Sequence, residues 1–289
     1  MPRIRTGTFS ASVRKRVEFR VCPRISARGA PLLRAGAGSR AARDVFLSLG
    51  KNPDRRPAAS LPTTRTCSCS RCGGGAGAYA FPLAEQGYSV HLIDPVPLHI
   101  EQAKQRAETA PAAPKDFQVG DARSLSINDA TADAVLLFGP LYHLTERRDR
   151  LTALREAHRV LHPGGTLFAV AISRFASALD GIGRGRMRDP KFAQIVEQDL
   201  KTGQHRNETE EFEYFTTAFF HHPDEFLEEL KEGEFSDVTL RSIEGPLWAP
   251  PEPLTPEERD RLMTIMRTIE TEPTLIGSSA HIMAIARKS

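Results

Sequence analysis

Acidic residues are scarce in the first quarter of this 289-residue chain, and cysteine is absent from the rest of it. Residues 1–72 hold 14 Arg and 2 Lys against three acidic side chains, a net charge of +13. All four cysteines fall in the same segment. The other 217 residues hold 23 basic and 33 acidic groups, a net charge of −10. The overall charge of +3 therefore averages two unlike segments, and it does not indicate nucleic acid as a partner.

Long apolar runs are also missing. No stretch of 18 consecutive apolar residues exists in the chain, whereas a membrane-spanning helix needs about 20. The sequence therefore predicts no membrane span and a cytoplasmic location. The alternative is an organellar location, which would follow if residues 1–60 were a transit peptide, because such peptides are rich in Arg and Ser and poor in acidic residues.

Four interpretations compete for the basic segment. It would serve as a transit peptide, as a basic arm that contacts nucleic acid, as the start of a zinc site, or as the product of a reading-frame error. Cys67, Cys69 and Cys72 lack a second pair of ligands nearby, so we predict no metal site. We divide the chain into an atypical and disordered segment, residues 1–65, and a domain, residues 66–289.

The reading-frame interpretation is the one we favour, because the abnormal composition continues up to Gly73. A buried parallel strand rich in Val, Ile and Leu should come directly before such a glycine loop, but residues 65–72 read Arg-Thr-Cys-Ser-Cys-Ser-Arg-Cys. When the codons for residues 67–72 are read one base later, the genetic code permits Ala-Arg-Val-Leu-Asp-Val. The shifted frame would thus supply the strand that the sequence as written lacks.

A glycine loop followed by a helix and a strand is the most informative motif of the chain. The loop reads Gly73-Gly74-Gly75-Ala76-Gly77, a helix is predicted over 79–86, and a buried strand over 88–93 ends at Asp94. Glycine allows a tight turn and a close approach of the backbone to a ligand. The helix directs its positive end at that ligand, and an acidic residue after the second strand is placed to bind ribose hydroxyls. The motif predicts a site for an adenosine-type cofactor.

Strands and helices alternate through the rest of the chain. Strands are predicted over 117–119, 132–138, 166–172, 236–243 and 279–286, the last at or near a sheet edge. Helices are predicted over 95–110, from a cap at Thr145 to residue 161, over 223–231, and from Thr255 with a buried stripe of Leu262, Ile265, Met266 and Ile269. This alternation predicts an α/β fold with a doubly wound, mostly parallel sheet. An aromatic-rich insertion, residues 174–222, is the expected lid and substrate element.

Five motifs in order resemble those of class I S-adenosylmethionine-dependent methyltransferases of the small-molecule type. They are the Gly73-x-Gly75-x-Gly77 loop, Asp94, Gly120-Asp121-Ala122, the segment Asp133 to Leu144, and Arg159 to Gly165. The resemblance runs from Gly73 to the C-terminus. It implies a Rossmann-like enzyme that transfers a methyl group from S-adenosyl-L-methionine to a small-molecule acceptor.

The resemblance also implies roles for individual residues. The three loop glycines would pass under the methionine and ribose of the cofactor, and Asp94 would accept hydrogen bonds from the ribose hydroxyls. Asp121 and Ala122 would bind adenine, and Phe138 would contact the cofactor. Arg71 departs from the pattern, because the family has an acidic residue there that holds the methionine end. A guanidinium would repel that cationic group and weaken cofactor binding.

Each candidate residue also has a structural interpretation. Asp94 would cap the next helix, Asp121 would form a turn, and Tyr142 and His143 would either pack or contact the acceptor, His143 being the first candidate for a base. We expect His221 and His222 to be exposed rather than metal ligands. Arg184, Arg186 and Arg188 would form a solvated basic loop or bind an anionic substrate.

Two other functions remain open at this point. Gly73-x-Gly75-x-x-Ala78 also satisfies the dinucleotide fingerprint of an NAD-dependent oxidoreductase. A non-catalytic product of a disrupted frame is the second alternative.

Overall fold

The computed structural model describes residues 69–72, 75–209, 211, 214–246 and 255–289. The predictions for residues 1–65 and for Gly73 lie outside these ranges. Within them, no helix is long and apolar enough to cross a membrane.

A nine-stranded sheet forms the centre of the described part of the chain. Its strands are β1 (Cys69–Cys72), β2 (Val90–Asp94), β3 (Asp116–Val119), β4 (Ala132–Phe138), β5 (Leu161–Ser173), β6 (Gln204–His205), β7 (Ala218–His221), β8 (Phe235–Ser242) and β9 (His281–Lys288). The order is β3-β2-β1-β4-β5, continued by β9 and β8 along most of β5 and by β7 and β6 at its end. The first five strands are mutually parallel, as the sequence predicts.

Helices cover both faces of the sheet. They are α1 (Ala80–Glu85), α2 (Pro97–Ala107), α3 (Pro140–His143), α4 (Arg147–Val160), α5 (Ala176–Arg184), α6 (Pro190–Thr202), α7 (Pro223–Glu232), α8 (Pro256–Ile269) and α9 (Pro273–Ile276), with a 3-10 turn at Arg186–Arg188. Alternate residues of β4 face opposite sides: Val135 packs in the apolar cluster of α4 and α7, and Leu136 in that of α1 and α2. The doubly wound architecture is therefore confirmed.

The central strand forms from the sequence as written, contrary to the expectation that residues of this composition would not form a strand before the glycine loop. Cys69–Cys72 pairs in parallel with both β2 and β4, with Arg71 in register with Leu92 and Leu136. A ladder is built from backbone N–H and C=O groups, so two flanking apolar strands can recruit a segment whose own composition does not indicate a strand.

The last strand lies next to the edge strand β8, which agrees with the prediction of a position at or near a sheet edge. β9 runs antiparallel between β5 and β8, and the five residues 282–286 are all buried. A strand inside a sheet is covered on both faces, so its long apolar run belongs to an interior position.

Two helix predictions also need correction. α4 begins at Arg147 with Glu146 as its N-cap, not at Thr145, because the carbonyl of Thr145 accepts a hydrogen bond from the Arg150 guanidinium instead (2.9 Å). In α8, Met266 is buried but Ile265 is 57 % exposed, so the predicted apolar stripe only partly faces the core. The helix starts after Thr255 as predicted, and Thr255 and Glu258 form a capping box there.

The insertion, residues 174–222, contains α5, α6, β6 and β7 and joins the sheet at the carboxyl end of β5. Ile172 and Ser173 pair there with Phe220 and His221 of β7. The insertion therefore lies at the edge where open α/β sheets bind their ligands.

Candidate functional site

The glycine loop between β1 and α1 has a left-handed backbone at two positions. Gly75 has φ +51° and Gly77 has φ +84°. A Cβ on Gly77 would meet the Phe81 ring at 2.7 Å, whereas one on Gly75 would find nothing within 4 Å. Gly77 thus serves the packing of loop on helix, and Gly75 borders open space that a ligand can use.

Asp94 ends β2 and is almost completely buried. Its Oδ2 accepts the Gly75 N–H (2.7 Å), and its Oδ1 accepts the Val96 N–H (2.9 Å). Burial raises the pKa of Asp94, but hydrogen bonds from His99, Val96 and Gly75 outweigh that effect and lower it. Asp94 is not the N-cap of α2, because Val96 occupies that position. The carboxylate connects the second strand to the glycine loop.

His99, in the first turn of α2, is a site residue that the sequence reasoning missed. Its Nδ1 lies 2.9 Å from Asp94 Oδ1, and this hydrogen bond raises the pKa of His99. A carboxylate offers about four lone-pair positions, and three donors now occupy it. One acceptor position of Asp94 remains. To accept hydrogen bonds from both hydroxyls of a ribose, the carboxylate would have to lose one of its three present donors.

The residues predicted to bind adenine follow β3. Asp121 forms an ion pair with Arg123 (2.7 Å), which in turn contacts Asp149. The hydrogen bond from Arg123 lowers the pKa of Asp121 and keeps it ionised. Ala122 is buried. Phe138, at the end of β4, is also buried and packs edge-to-face on Tyr79, with 5.0 Å between ring centroids.

Tyr142 and His143 lie in α3, directly after the carboxyl end of β4. Their rings are 4.8 Å apart. Part of His143 is exposed, yet desolvation by surrounding protein groups lowers its pKa, while the charge of Asp94 partly offsets the effect. The charge of the predicted ribose ligand thus acts on the predicted base.

A second histidine lies beside Tyr142, and no local pattern in the sequence indicated it. The ring of His281 is 6.4 Å from that of Tyr142, and its Nδ1 lies 2.7 Å from Glu244 Oε1. Burial lowers the pKa of His281, but the charge of Glu244 outweighs it and raises the pKa. Burial likewise raises the pKa of Glu244, and the charge of His281 outweighs it, so that this carboxyl stays ionised.

His221 is buried, not exposed as expected. It is the last residue of β7, and its Nε2 lies 3.2 Å from Glu229 of α7. All four residues of β7 are buried, because the insertion packs over the end of β5. Burial lowers the pKa of His221. Within the described ranges, no cluster of three His, Cys, Asp or Glu is arranged to hold a metal ion.

The basic loop of the insertion pairs internally. Arg184 lies 2.8 Å and Arg186 3.5 Å from carboxylate oxygens of Asp180. Two of its three arginines thus already have an anionic partner within the insertion.

Residues 71–169 match the family described as a methyltransferase domain. The segment includes Gly75, Asp94 and Asp121. A ubiquinone biosynthesis O-methyltransferase of Methylocella silvestris is 37% identical over 113 residues, 38% of this chain and 43% of the relative. A ubiquinone/menaquinone biosynthesis C-methyltransferase of a Ruegeria species is 27% identical over 183 residues, 59% of this chain and 66% of the relative. The chain thus spans less than two thirds of either relative.

Solved structures of low identity share the fold. A methyltransferase of Methanosarcina mazei aligns with TM-score 0.55 and 19% identity, covering 81% of this chain and 98% of the other. A possible histamine N-methyltransferase of Thermotoga maritima aligns with TM-score 0.51 and 19% identity, covering 87% and 91%. The chain shares the fold of these two methyltransferases. Residues 71–169 match a methyltransferase domain, and this match favours a methyltransferase over an NAD-dependent oxidoreductase.

Proposed function

We propose that this chain is an S-adenosylmethionine-dependent methyltransferase that acts on a small-molecule acceptor. The observation that carries the proposal is the hydrogen bond from the Gly75 N–H to Asp94 within a segment that matches a methyltransferase domain. The residues fit the cofactor: space is open beside Gly75, and the ionised Asp94 keeps an acceptor position for a hydroxyl donor.

The cofactor would be held by the predicted set. Gly73, Gly75 and Gly77 would lie under its methionine and ribose, and Asp94 would accept from the ribose. The Asp121–Ala122 turn would border adenine, and the Phe138 ring would supply an apolar wall. When bound, S-adenosylmethionine supplies a methyl group on a sulfonium that is already a good leaving group, so the protein mainly has to align the acceptor and exclude water.

The acceptor would lie over β4 and β5, between α3 and the insertion. We assign residues 66–289 to the methyltransferase domain and residues 174–222 to its lid and substrate element, with Tyr142 and His143 as candidate acceptor contacts. The position of the insertion at the end of β5 supports this. The relatives named above act in quinone biosynthesis, so a phenolic ring is the first acceptor class to test. The cytoplasmic location stays a prediction.

Calorimetry with S-adenosylmethionine, S-adenosylhomocysteine and NAD tests the function directly. The two adenosyl compounds should bind and NAD should not. Asp94→Ala should weaken binding by about 1.5–3 kcal/mol, the scale of hydrogen bonds to a charged group. Asp116→Ala is the matched control, because Asp116 is exposed and lies at the amino end of β3, whereas Asp94 lies at the carboxyl end of the neighbouring β2.

Far-UV circular dichroism should show that both variants fold. Affinity of the Asp94 variant within about twofold of wild type would contradict the proposed ribose contact, since a lost charged hydrogen bond costs more. Binding of NAD in place of the adenosyl compounds would contradict the function itself.

A further inference from the structure

His281 and Glu244 form a pair at the acceptor side of the sheet. His281 is the first residue of β9 and lies opposite Ile172 near the carboxyl end of β5. Because β9 is antiparallel, its first residue reaches the edge where the parallel strands end. The side chain of His281 is 28 % exposed and that of Glu244 is 9 % exposed, so the carboxylate is buried behind an imidazole that solvent can reach.

Glu244 is held rigidly by its neighbours. Its Oε2 accepts the backbone N–H of His281 (2.9 Å) and the hydroxyl of Ser279 (2.9 Å). The Ser279 oxygen in turn accepts the N–H groups of Ile243, Glu244 and Gly245 at 3.0–3.2 Å. The carboxylate therefore cannot turn away from the imidazole, which fixes the ring orientation.

The hydrogen-bond pattern determines the tautomer of the neutral imidazole. A carboxylate only accepts, so Nδ1 carries the proton that it donates to Glu244 Oε1. Nε2 is then the basic nitrogen, and within the described ranges it has no hydrogen-bond partner. An imidazole with an oriented carboxylate on one nitrogen and a lone pair on the other is the arrangement that general-base catalysis uses.

We propose that the Glu244–His281 pair is the general base of this methyltransferase and that its acceptor group is a hydroxyl. His281 would be the catalytic residue and Glu244 its positioning residue. The inference rests on the proposed function. The acceptor O–H proton moves to His281 Nε2 while the oxygen electron pair forms the new O–C bond. The methyl–sulfur bond breaks, leaving S-adenosylhomocysteine, and the imidazolium beside Glu244 later gives its proton to water.

The other groups around His281 suit this role less well. Tyr142 faces the ring from α3, with His143 beside it, and Glu244 is the charged group that acts on His281. His143 was the first base predicted from the sequence, but in the described ranges it has no carboxylate hydrogen-bonded to its ring. A base without an orienting partner would leave its tautomer undefined.

The decisive variant is His281→Asn. Its amide N–H can still donate to Glu244, which preserves a purely structural role, but it offers no basic nitrogen. The matched control is His158→Ala. His158 lies in the last turn of α4, directly before the amino end of β5, where it contacts Phe235. S-adenosylhomocysteine affinity is measured first. All variants should match wild type within about threefold, well below the loss of a charged hydrogen bond.

Methyl transfer from labelled S-adenosylmethionine to catechol is then measured from pH 6 to 10. We expect His281→Asn to lose about 100-fold in kcat near pH 7 and to recover at high pH, where catechol ionises without a base. Added imidazole should partly rescue it. Glu244→Gln should lose less kcat than His281→Asn. It should also shift the acidic limb of the kcat–pH profile to lower pH, because the carboxylate that favours the imidazolium is gone.

A spectroscopic readout does not depend on turnover. In the wild-type complex with S-adenosylhomocysteine, the histidine resonance lost in His281→Asn should shift when catechol is added, and Glu244→Gln should lower its titration midpoint. Failure to bind S-adenosylhomocysteine would overturn the proposed function. If S-adenosylhomocysteine binds normally, two results would overturn the proposed general base alone. One is wild-type activity of His281→Asn. The other is that wild type neither methylates catechol nor shows the histidine shift when catechol is added.

Discussion

The buried ion pair between Arg150 and Glu229 offers the sharpest test of how the acceptor side is held together. Arg150 is fully buried in α4, and its guanidinium makes three hydrogen bonds to the Glu229 carboxylate of α7 at 2.6–3.2 Å. It also lies 3.6 Å from the centre of the Phe219 ring. We expect Arg150→Met to destabilise the protein by about 3–5 kcal/mol, because it leaves a buried carboxylate without its cation.

The pKa of Glu229 shows how strongly its two neighbours together favour the ionised carboxylate. Burial raises this pKa, but hydrogen bonds from His221 and Arg150 outweigh it and lower it from 4.5 to about 2. A difference of this size corresponds to about 3 kcal/mol. Because the folded-state pKa is depressed, this stabilisation is present above pH 4.5 and is lost as pH falls toward about 2.

Urea unfolding followed by circular dichroism at pH 7 and pH 3 measures both effects. Arg147→Met is the comparison variant, because Arg147 lies in the same helix, is 49 % exposed, pairs with the exposed Glu232, and reaches Glu229 only through its Nε at 3.8 Å, without a hydrogen bond. It should cost at most about 1 kcal/mol. The double variant Arg150→Met with Glu229→Met should recover most of the loss. The reasoning is refuted if Arg150→Met costs no more than Arg147→Met, or if its loss does not shrink at pH 3.

Two further predictions concern the cofactor side. Gly75→Ala should lose cofactor affinity by calorimetry and about 1–2 kcal/mol of stability, because its φ of +51° strains alanine and the new methyl enters the open space beside the loop. Gly87→Ala, also at positive φ but at the other end of β2, should lose stability alone. Equal affinity losses in the two variants would contradict a cofactor role for Gly75. Replacing residues 67–72 by Ala-Arg-Val-Leu-Asp-Val should raise both melting temperature and S-adenosylmethionine affinity, since apolar side chains contribute about 1.5–3 kcal/mol each when buried and a carboxylate at position 71 would attract the cationic methionine end. No change in either quantity would instead support a native targeting or basic arm.

The elements predicted well from the sequence are those with local signals. β4 has the predicted bounds, Ala132–Phe138, because the apolar run from Ala134 to Phe138 stops at a Gly-Pro pair. Asp94 ends β2 as predicted, because the strand pattern and the following Pro95 agree. Such signals lie within a few residues of the feature they define, so neighbouring residues suffice to recognise them.

β1 shows where composition misleads. Cys69–Cys72 reads as a poor strand, yet it occupies the central position between β2 and β4. The neighbouring strands supply the apolar surroundings, including the fully buried Leu92 and Leu136. Strand propensity depends strongly on context, so a short segment between two such neighbours follows their hydrogen-bonding groups rather than its own side chains.

The acceptor side could not be predicted because its contacts join distant parts of the chain. His281 and Glu244 are 37 positions apart, and Arg150 and Glu229 are 79 apart, so neither pair leaves a motif. The matched family segment ends at residue 169, before the insertion, Glu244 and His281. Arg150 also donates to the carbonyls of Leu144 and Thr145, directly after α3. The network that secures the insertion therefore also fixes the helix that carries Tyr142, so the proposed acceptor side depends on long-range packing, while the proposed cofactor side follows local motifs.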